Sequence, residues 1–221
     1  EGDKFIYDKR ISELIVIDDV KYFDKVKKIY IESQKIIYNE TDNTIFSNSD
    51  TYISNQDIYK IYSANILYDR NYNKISSDEF TKIIEKNDNN FLFNKGLIFE
   101  LVPEIISSKE VKVIDQNLNN YFFKNSRIKL KDNEIVGKEV FIQFEDSFFG
   151  NKNNDPVLKG KSMISNNEET KIYKTVFSTC NKENKSCRGW EIQSQIFTHD
   201  KVKKLFEYEK SWLKIFDKKV F

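Results

Sequence analysis

Apolar and polar residues alternate one by one along most of the chain, which is the pattern of a half-buried β-strand. The segments IYIES, KIYSA, VKVI and EVFIQFE alternate in this way or consist of β-branched and aromatic residues. Clusters rich in Asn and Asp, such as NETDN, DRNYN and NDNN, lie between them and favour turns. Two short segments, Ser77–Lys86 and Asp200–Glu209, fit a helix or a strand equally well. The pattern as a whole predicts an all-β chain.

A short motif recurs at intervals of about 30 residues, which indicates an internal repeat. The clearest copies are IESQKIIYN from Ile31 and IYSANILYD from Ile61, and weaker copies follow from Leu92, Phe123, Leu158 and Ile192. Each copy has a small or polar residue two places after its first apolar residue, which leaves room for a sharp bend or for a ligand. Since the segments between copies are also strand-like, each period predicts two strands and two turns. Stacked periods predict two facing antiparallel sheets with apolar inner faces.

The apolar positions of the repeat are the predicted lining of the interior. They are Ile31, Ile36, Ile61, Ile66, Leu92, Leu97, Phe123, Ile128, Leu158, Met163, Ile192 and Phe197. The I-x-S-x-x-I spacing changes side-chain parity along a strand, so its two apolar ends share a face only where a bulge intervenes. The pattern fits two architectures: a sandwich whose apolar stripe is a filled core, and an open roll that holds a ligand.

Composition argues against several classes of function. Lys and Arg number 36 against 35 Asp and Glu, so the net charge of +1 gives no field that would attract nucleic acid. The chain has no glycine-rich phosphate loop, no G-x-S-x-G and no H-E-x-x-H motif, so we expect no enzyme, no catalytic residue and no cofactor. The basic runs Lys25–Lys28 and Lys201–Lys204 flank turns and are interpreted as solvated faces, with phosphate contact at the mouth of a roll as the alternative.

Both cysteines of the chain, Cys180 and Cys187, lie in the segment TCNKENKSCRGWEI. Together with the single histidine, His199, they are too few for a zinc site, so we predict no metal. A local disulfide across the NKENKS turn is the simplest account and implies an oxidising compartment, while free thiols are the alternative. His199 itself is interpreted as an exposed histidine in a turn.

The C-terminal third contains a characteristic set of residues: Gly160, Thr179, Cys180, Cys187, Trp190, Asp200 and Leu213–Phe216. In these residues it resembles the periplasmic N-terminal part of the lipopolysaccharide-assembly family LptD, also called organic solvent tolerance proteins. The repeats before residue 140 resemble the OstA-like repeat of that family, which also occurs in the bridge proteins LptA and LptC. The chain departs from the pattern at Lys218 and Lys219, where the family favours Val-Pro.

The resemblance implies a β-jellyroll folded like a taco, forming one domain over residues 1–221 at the periplasmic face of the outer membrane. Its implied function is to bind lipopolysaccharide and to conduct the lipid A acyl chains through an apolar groove towards an outer-membrane barrel, which is absent from this chain. An LptA-type bridge protein would add a strand at an edge formed by Phe5, Tyr7, Leu14 and Val16, and an LptE-type lipoprotein plug would bind through the missing barrel.

The family joins its cysteines through long-range disulfides, so a Cys180–Cys187 bond remains an inference from their spacing. The alternative to lipid conduction is a filled β-sandwich that serves as a structural or interaction module and has no lipid channel.

Overall fold

The computed structural model describes residues 1–55, 58–86, 89–145, 156–179, 189–216 and 218–220, and its regular structure consists of β-strands. The prediction of an all-β chain is therefore confirmed. Both segments that fitted helix or strand are in strands and turns. Within the described residues, no helix has the length and apolarity that crossing a membrane requires.

The chain divides into two compact units, Glu1–Val111 and Lys112–Phe221, which we call unit 1 and unit 2. The strands of unit 1 are β1 (Lys4–Asp8), β2 (Glu13–Asp24), β3 (Ile29–Asn39), β4 (Thr44–Ser47), β5 (Thr51–Asn55), β6 (Tyr59–Ser63), β7 (Ile66–Asp69), β8 (Lys74–Ser77), β9 (Thr81–Glu85) and β10 (Asn90–Glu100). Strand β11 (Ile105–Ile114) spans the boundary. The strands of unit 2 are β12 (Asn120–Lys129), β13 (Glu134–Gln143), β14 (Val157–Ser165), β15 (Glu169–Ser178), β16 (Trp190–Asp200), β17 (Leu205–Ile215) and β18 (Lys218–Lys219). A single domain over the whole chain stays a prediction.

Unit 1 is an antiparallel meander whose long strands are broken in the middle. Strands β4 and β5 are successive halves of one line of chain that pairs with β3, from Thr44 opposite Asn39 to Asn55 opposite Ile29. Strands β6 with β7 and β8 with β9 continue the meander in the same way up to β10. Because the breaks coincide, the pairings run in a closed circuit: β3, β4, β7, β8, β10, β9, β6, β5 and back to β3.

Unit 2 is a simpler antiparallel meander, in which each strand from β12 to β18 pairs with the next. Every second strand carries a left-handed residue near its middle: Glu139 in β13 with φ 52°, Lys174 in β15 with φ 53° and Lys210 in β17 with φ 49°. At Glu139 the alternation of buried and exposed residues shifts by one position: Gly137 and Val140 are buried, and the two residues between them are exposed. The left-handed residue thus returns the apolar side chains to the inner face beyond the bend.

These breaks and bends supply the change of parity that the repeat spacing requires. Ile31 and Ile36 are both buried because β3 loses its partner between β5 and β4. In β2 a register shift between Ile17 and Val20 also changes which side chains face inwards, and Asp18 and Asp19 lie in the left-handed region there. The period is visible in the strand starts, since β3 begins at Ile29, β6 at Tyr59 and β10 at Asn90. The predicted two strands per period are found for β12 and β13, whereas the breaks of unit 1 divide the period from Tyr59 into the four strands β6–β9.

Small hydroxyl side chains fill the inner side of the bend in unit 1. Ser33 Oγ and Ser47 Oγ lie 2.8 Å apart, and Ser63 Oγ and Ser77 Oγ lie 3.0 Å apart, although all four residues are buried. Thr81 Oγ1 donates a hydrogen bond of 2.9 Å to Ser63 Oγ. The small side chains allow the two halves to approach, and the hydroxyls satisfy each other where water is excluded.

The turns depend on Asp and Asn, as the sequence predicted. Asp24, Asp69 and Asp200 each accept hydrogen bonds on Oδ1 from the backbone N–H groups two and three residues later. Asn39 accepts a similar bond from the Asp42 amide. These side chains take the role that glycine and proline have in other all-β chains.

Candidate functional site

Most of the predicted interior positions are buried. In unit 1, the buried ones are Ile31, Ile36, Ile61, Ile66 and Leu97. In unit 2, they are Phe123, Ile128, Leu158, Met163 and Phe197. Ile192 lies on the same inner face, directly opposite the buried Phe177, but it is only half-buried.

Leu92 does not share this inner face. It pairs with Lys82 of β9, which in turn pairs with Tyr62 of β6, and this row lies on the outer surface. The inner positions of β10 are its neighbours Phe91 and Phe93, both buried. The third copy of the repeat is therefore displaced by one residue, and the prediction of Leu92 as a lining residue is wrong for this reason.

The interior of unit 1 is filled and its rim is latched. The inner side chains Tyr68, Phe93 and Phe99 are fully buried. At the rim, the Arg70 guanidinium Nε lies 3.1 Å from Asp24 Oδ2, which joins the β2–β3 turn to the β7–β8 turn. Burial would raise the pKa of Asp24, but hydrogen bonds from the Lys27 amide and from Arg70 outweigh it and hold that pKa below its usual value.

A second rim contact in unit 1 joins Tyr59 to the β10–β11 turn. The Tyr59 hydroxyl donates a hydrogen bond of 3.1 Å to Glu104 Oε2. Burial, together with the nearby Glu104 carboxylate, raises the pKa of Tyr59, so the phenol keeps its proton at neutral pH. The Tyr59 ring also packs edge-on against Phe99, with centroids 5.5 Å apart, and so connects the rim to the core.

The inner face of unit 2 is covered less completely towards its C-terminal strands. Register places Phe206, Tyr208 and Leu213 of β17 on the inner face, and each of them is only half-buried. Trp190 and Ile215, which pair with each other farther along the same face, are both 37% exposed. Tyr208 packs on Phe197 and Phe177, with centroid distances of 5.2 and 6.4 Å. A row of aromatic and aliphatic side chains is thus accessible from solvent.

A cleft of about 530 Å³ lies at the rim of unit 2 beside this row. Its polar lining includes Asp115, Asn117, Asn119 and Tyr121, its basic groups are His199, Lys201 and Lys204, and Phe144 and Phe206 complete it. Tyr121 donates its hydroxyl proton to Asp115 Oδ2 at 3.0 Å. Burial, followed by the Asp115 carboxylate, raises the pKa of Tyr121.

Two basic groups of this rim cleft, His199 and Lys201, are half-buried, whereas Lys204 is exposed. Burial lowers the pKa of Lys201, while Asp115 opposes that shift. Lys201 Nζ donates to Ser165 Oγ at 3.1 Å and also to the Asn166 carbonyl. Burial and the neighbouring Lys201 charge lower the pKa of His199. The rim cleft therefore combines aromatic surface with two ammonium groups and the Asp115 carboxylate.

His199 is not an exposed turn residue. It lies in β16, half-buried, with its ring 4.7 Å from the ring of Phe206. The prediction of a turn was wrong because the strand continues through FTHD to Asp200. The signal that could have placed it is the alternation of Phe206 and Tyr208 just beyond, which indicates a partner strand.

The predicted partner edge divides into two parts. Phe5 and Tyr7 lie on β1, where they are 58% and 54% exposed. Leu14 and Val16 lie on β2, which pairs with β1 on one side and with β3 on the other. At Leu14 and Val16 both edges of β2 are occupied, by β1 and by β3, so an incoming strand cannot hydrogen-bond there and the inclusion of these two residues is wrong.

Cys180 and Cys187 lie outside the described residues, and the disulfide stays a prediction. The nearby strand ends are held by the Ser178 hydroxyl, which donates to the Trp190 carbonyl at 2.9 Å. No protein-family model matches the chain, and no curated protein matches it. The resemblance to LptD likewise stays a prediction.

Proposed function

We propose that the chain binds the acyl chains of an anionic glycolipid, lipopolysaccharide, along the inner face of unit 2 and conducts them between an LptA-type bridge and the outer membrane. The observation that carries this proposal is the half-buried row of Phe206, Tyr208 and Leu213, which lies on the inner face beside the buried rings of Phe177 and Phe197. No covalent step is involved, and the expected residence is at the periplasmic face of the outer membrane.

The energetics suit a lipid that must be released as well as held. Each buried methylene contributes about 0.8 kcal/mol, so a twelve-carbon chain in a dry groove would gain roughly 10 kcal/mol. A half-covered face provides about half of that, roughly 5 kcal/mol, which holds the chain without trapping it. The aromatic rings of β17 are rigid, and they lose little conformational entropy on contact.

The rim cleft suits the anionic head group of the same lipid. Lys201 and Lys204 lie on its wall, and the half-exposed aromatic row continues from it through Phe206. A phosphate placed there would interact with ammonium groups in a partly desolvated site, where charge-assisted hydrogen bonds are strong. The folded sheet thus offers an apolar strip and a basic rim side by side, which is the arrangement that an amphiphile requires.

Bent hairpins of this kind are compatible with the taco form of a jellyroll, and we propose that form for the whole chain. Strand β1 is the proposed site of strand addition by the bridge protein. Its Phe5 and Tyr7 side chains are exposed, and β1 uses β2 as its partner through one edge. Main-chain pairing at the other edge would continue the sheet from one protein into the next.

Cross-linking from adjacent residues of β17 tests the lipid proposal. A photo-reactive amino acid at Tyr208 faces inwards, and one at Glu207 faces outwards on the same strand, so the pair differs only in face. We expect purified chain mixed with labelled lipopolysaccharide to give adducts at 208 and few at 207. Equal yields at both positions, or none at 208, would contradict the proposal.

The alternative function, a filled interaction module, is favoured by the packed interior of unit 1. Conduction through that unit requires fully buried side chains such as Ile61 to separate. A photo-reactive residue at Ile61 distinguishes the two functions. An adduct during transport supports a conduit, whereas adducts at 208 alone restrict the function to binding in unit 2, and adducts at neither position leave the interaction module.

A further inference from the structure

A cleft of about 760 Å³ opens on the outer surface of unit 1, on the side of the sheet away from the apolar interior. It lies where the strands of the meander are broken, between the β4–β5 and β8–β9 breaks. The break separates neighbouring strands and so creates a depression in an otherwise continuous sheet. Its volume lies within the range of small-molecule sites, and nothing in the proposed lipid function uses it.

The floor of this outer cleft is aromatic. Tyr52 and Tyr62 are directly opposite each other on β5 and β6, with ring centroids 5.3 Å apart. Tyr62 is 42% exposed, and Phe80 at the rim is 53% exposed. The faces of such rings carry the negative electrostatic potential that attracts cations.

The walls of the outer cleft are acidic. They carry the carboxylates of Asp19, Glu32, Asp50 and Glu79 against the single ammonium of Lys82. Glu32 accepts a hydrogen bond of 2.9 Å from the Tyr30 hydroxyl. Within the described part of the chain, Asp50 and Glu79 have no cationic side chain as partner. The cleft therefore has a strongly negative local charge, although the chain as a whole has a net charge of +1.

We propose that the outer cleft binds an organic polycation of the polyamine class. An extended chain of ammonium groups would place one charge over the Tyr52–Tyr62 pair and others against the carboxylates of the walls, while its methylene segments cover the exposed ring of Phe80. The aromatic floor distinguishes such a ligand from a simple metal cation, which has no apolar portion. Because the net charge of the protein is near zero, a polycation is attracted only weakly by the protein as a whole. Measurable binding of a polycation would therefore indicate a local site such as the outer cleft.

Calorimetric titration of the full chain with spermidine at about 50 mM salt tests the proposal, since low salt preserves the charge interactions. We expect saturable one-to-one binding. The substitutions Asp50→Asn and Glu79→Gln should each weaken it about two- to fivefold, the effect of removing one partly exposed ion pair. Tyr62→Leu should weaken it about two- to fivefold through the lost cation–π contact.

Matched controls lie on the same unit but outside the cleft: Asp42→Asn removes an exposed carboxylate, and Tyr72→Leu removes a tyrosine that is 75% exposed. Both should leave the affinity unchanged. Absence of saturable binding to the unmodified chain overturns the proposal, as does equal weakening by the controls, which indicates general surface attraction. Tighter binding of maltose, a neutral sugar that can also stack on tyrosine, overturns the choice of a cation. Circular dichroism of each variant shows that the fold is retained.

Discussion

Unit 1 and unit 2 are built from the same bent antiparallel hairpins, but they differ in how completely they cover their inner faces. In unit 1 the inner rings of Phe93 and Phe99 are fully buried, and the rim is closed by Asp24 with Arg70. In unit 2 the inner residues Phe206 and Tyr208 remain half-exposed beside an open rim cleft. One repeat can therefore form either a closed core or an apolar face that stays partly accessible to solvent.

The difference follows from position in the meander rather than from a change of residue type. An inner side chain of unit 1 has neighbours on both adjacent strands and on the facing half of the bent sheet. Those of β17 pair with β16, whereas on the other edge of β17 the short β18 lies opposite Lys214 and Ile215. Apolar residues at the end of the meander thus keep their accessible surface, although they follow the same alternation.

The largest expected effect compares one aromatic residue from each unit. Phe99→Ala should lower the free energy of unfolding by about 3–5 kcal/mol, because a fully buried ring leaves a cavity. Phe206→Ala should cost less, about 1–2 kcal/mol, since its ring is partly exposed in the folded state. Denaturant unfolding of both variants measures the two costs, and similar values would remove the distinction between a filled unit and an open one.

Loss of the Asp24–Arg70 ion pair at the rim of unit 1 should have the next largest effect on stability. Asp24→Ala removes the partner of Arg70 and two backbone hydrogen bonds, with an expected cost of about 2–3 kcal/mol. Since the pKa of Asp24 is lower in the folded state than in the unfolded state, its contribution is present above about pH 4 and is lost as pH falls through the folded pKa.

The measurement is unfolding at several pH values, with Asp42→Ala as an exposed control. Asp24→Ala should reduce the loss of stability that the unmodified chain shows in acid, and Asp42→Ala should not. If the Asp24–Arg70 pair does not stabilise the fold, both variants will lose as much stability in acid as the unmodified chain.

Overpacking at the bend of unit 2 should cost about 1–3 kcal/mol. A Cβ added at Gly137 would lie 2.1 Å from Phe123 Cδ1, so Gly137→Ala must displace a buried ring. Gly96→Ala is a useful contrast, because Gly96 has open space around it but a left-handed φ of 68°. Near-ultraviolet circular dichroism should change for Gly137→Ala and stay unchanged for Gly96→Ala, which strains only the backbone.

The smallest expected effect concerns pH near neutrality. The folded state holds the pKa of His199 below its usual value, so the unfolded state binds more protons as pH falls below about 6.5, and stability declines. His199 is the single histidine of the chain, so His199→Gln should flatten this decline between about pH 5.5 and 7. A decline that persists in the variant would assign it to other groups.

Much of the fold could be predicted because the strands and hairpins follow the sequence repeat. Alternation gave the strands, the period gave the hairpins, and residues such as Ser33 and Ser63 marked the bend. The positions of the bends in unit 2 could not be predicted, because they depend on backbone conformation. The bends of unit 2 use Glu139 and Lys174 in the left-handed region, where glycine is the residue that a sequence would be searched for. No residue type reveals such a bend.

The candidate site was predicted less well for a related reason. Periodicity identifies which residues face inwards, but it does not say whether a further strand covers them. Tyr208 and Leu213 alternate as the core residues do, and only their place at the end of the meander leaves them accessible. The displacement that moved Leu92 outwards depends in turn on one residue of register, which the irregular third copy of the repeat conceals.

The left-handed residue within each bent hairpin of unit 2 has a consequence for how such a protein can change in size. Because the bend of unit 2 is encoded inside each of its hairpins, and not imposed by contacts at the ends of the unit, a whole hairpin could be duplicated or deleted without altering the curvature of those that remain. The length of the inner face of unit 2 would then grow or shrink in fixed steps through gene duplication or deletion.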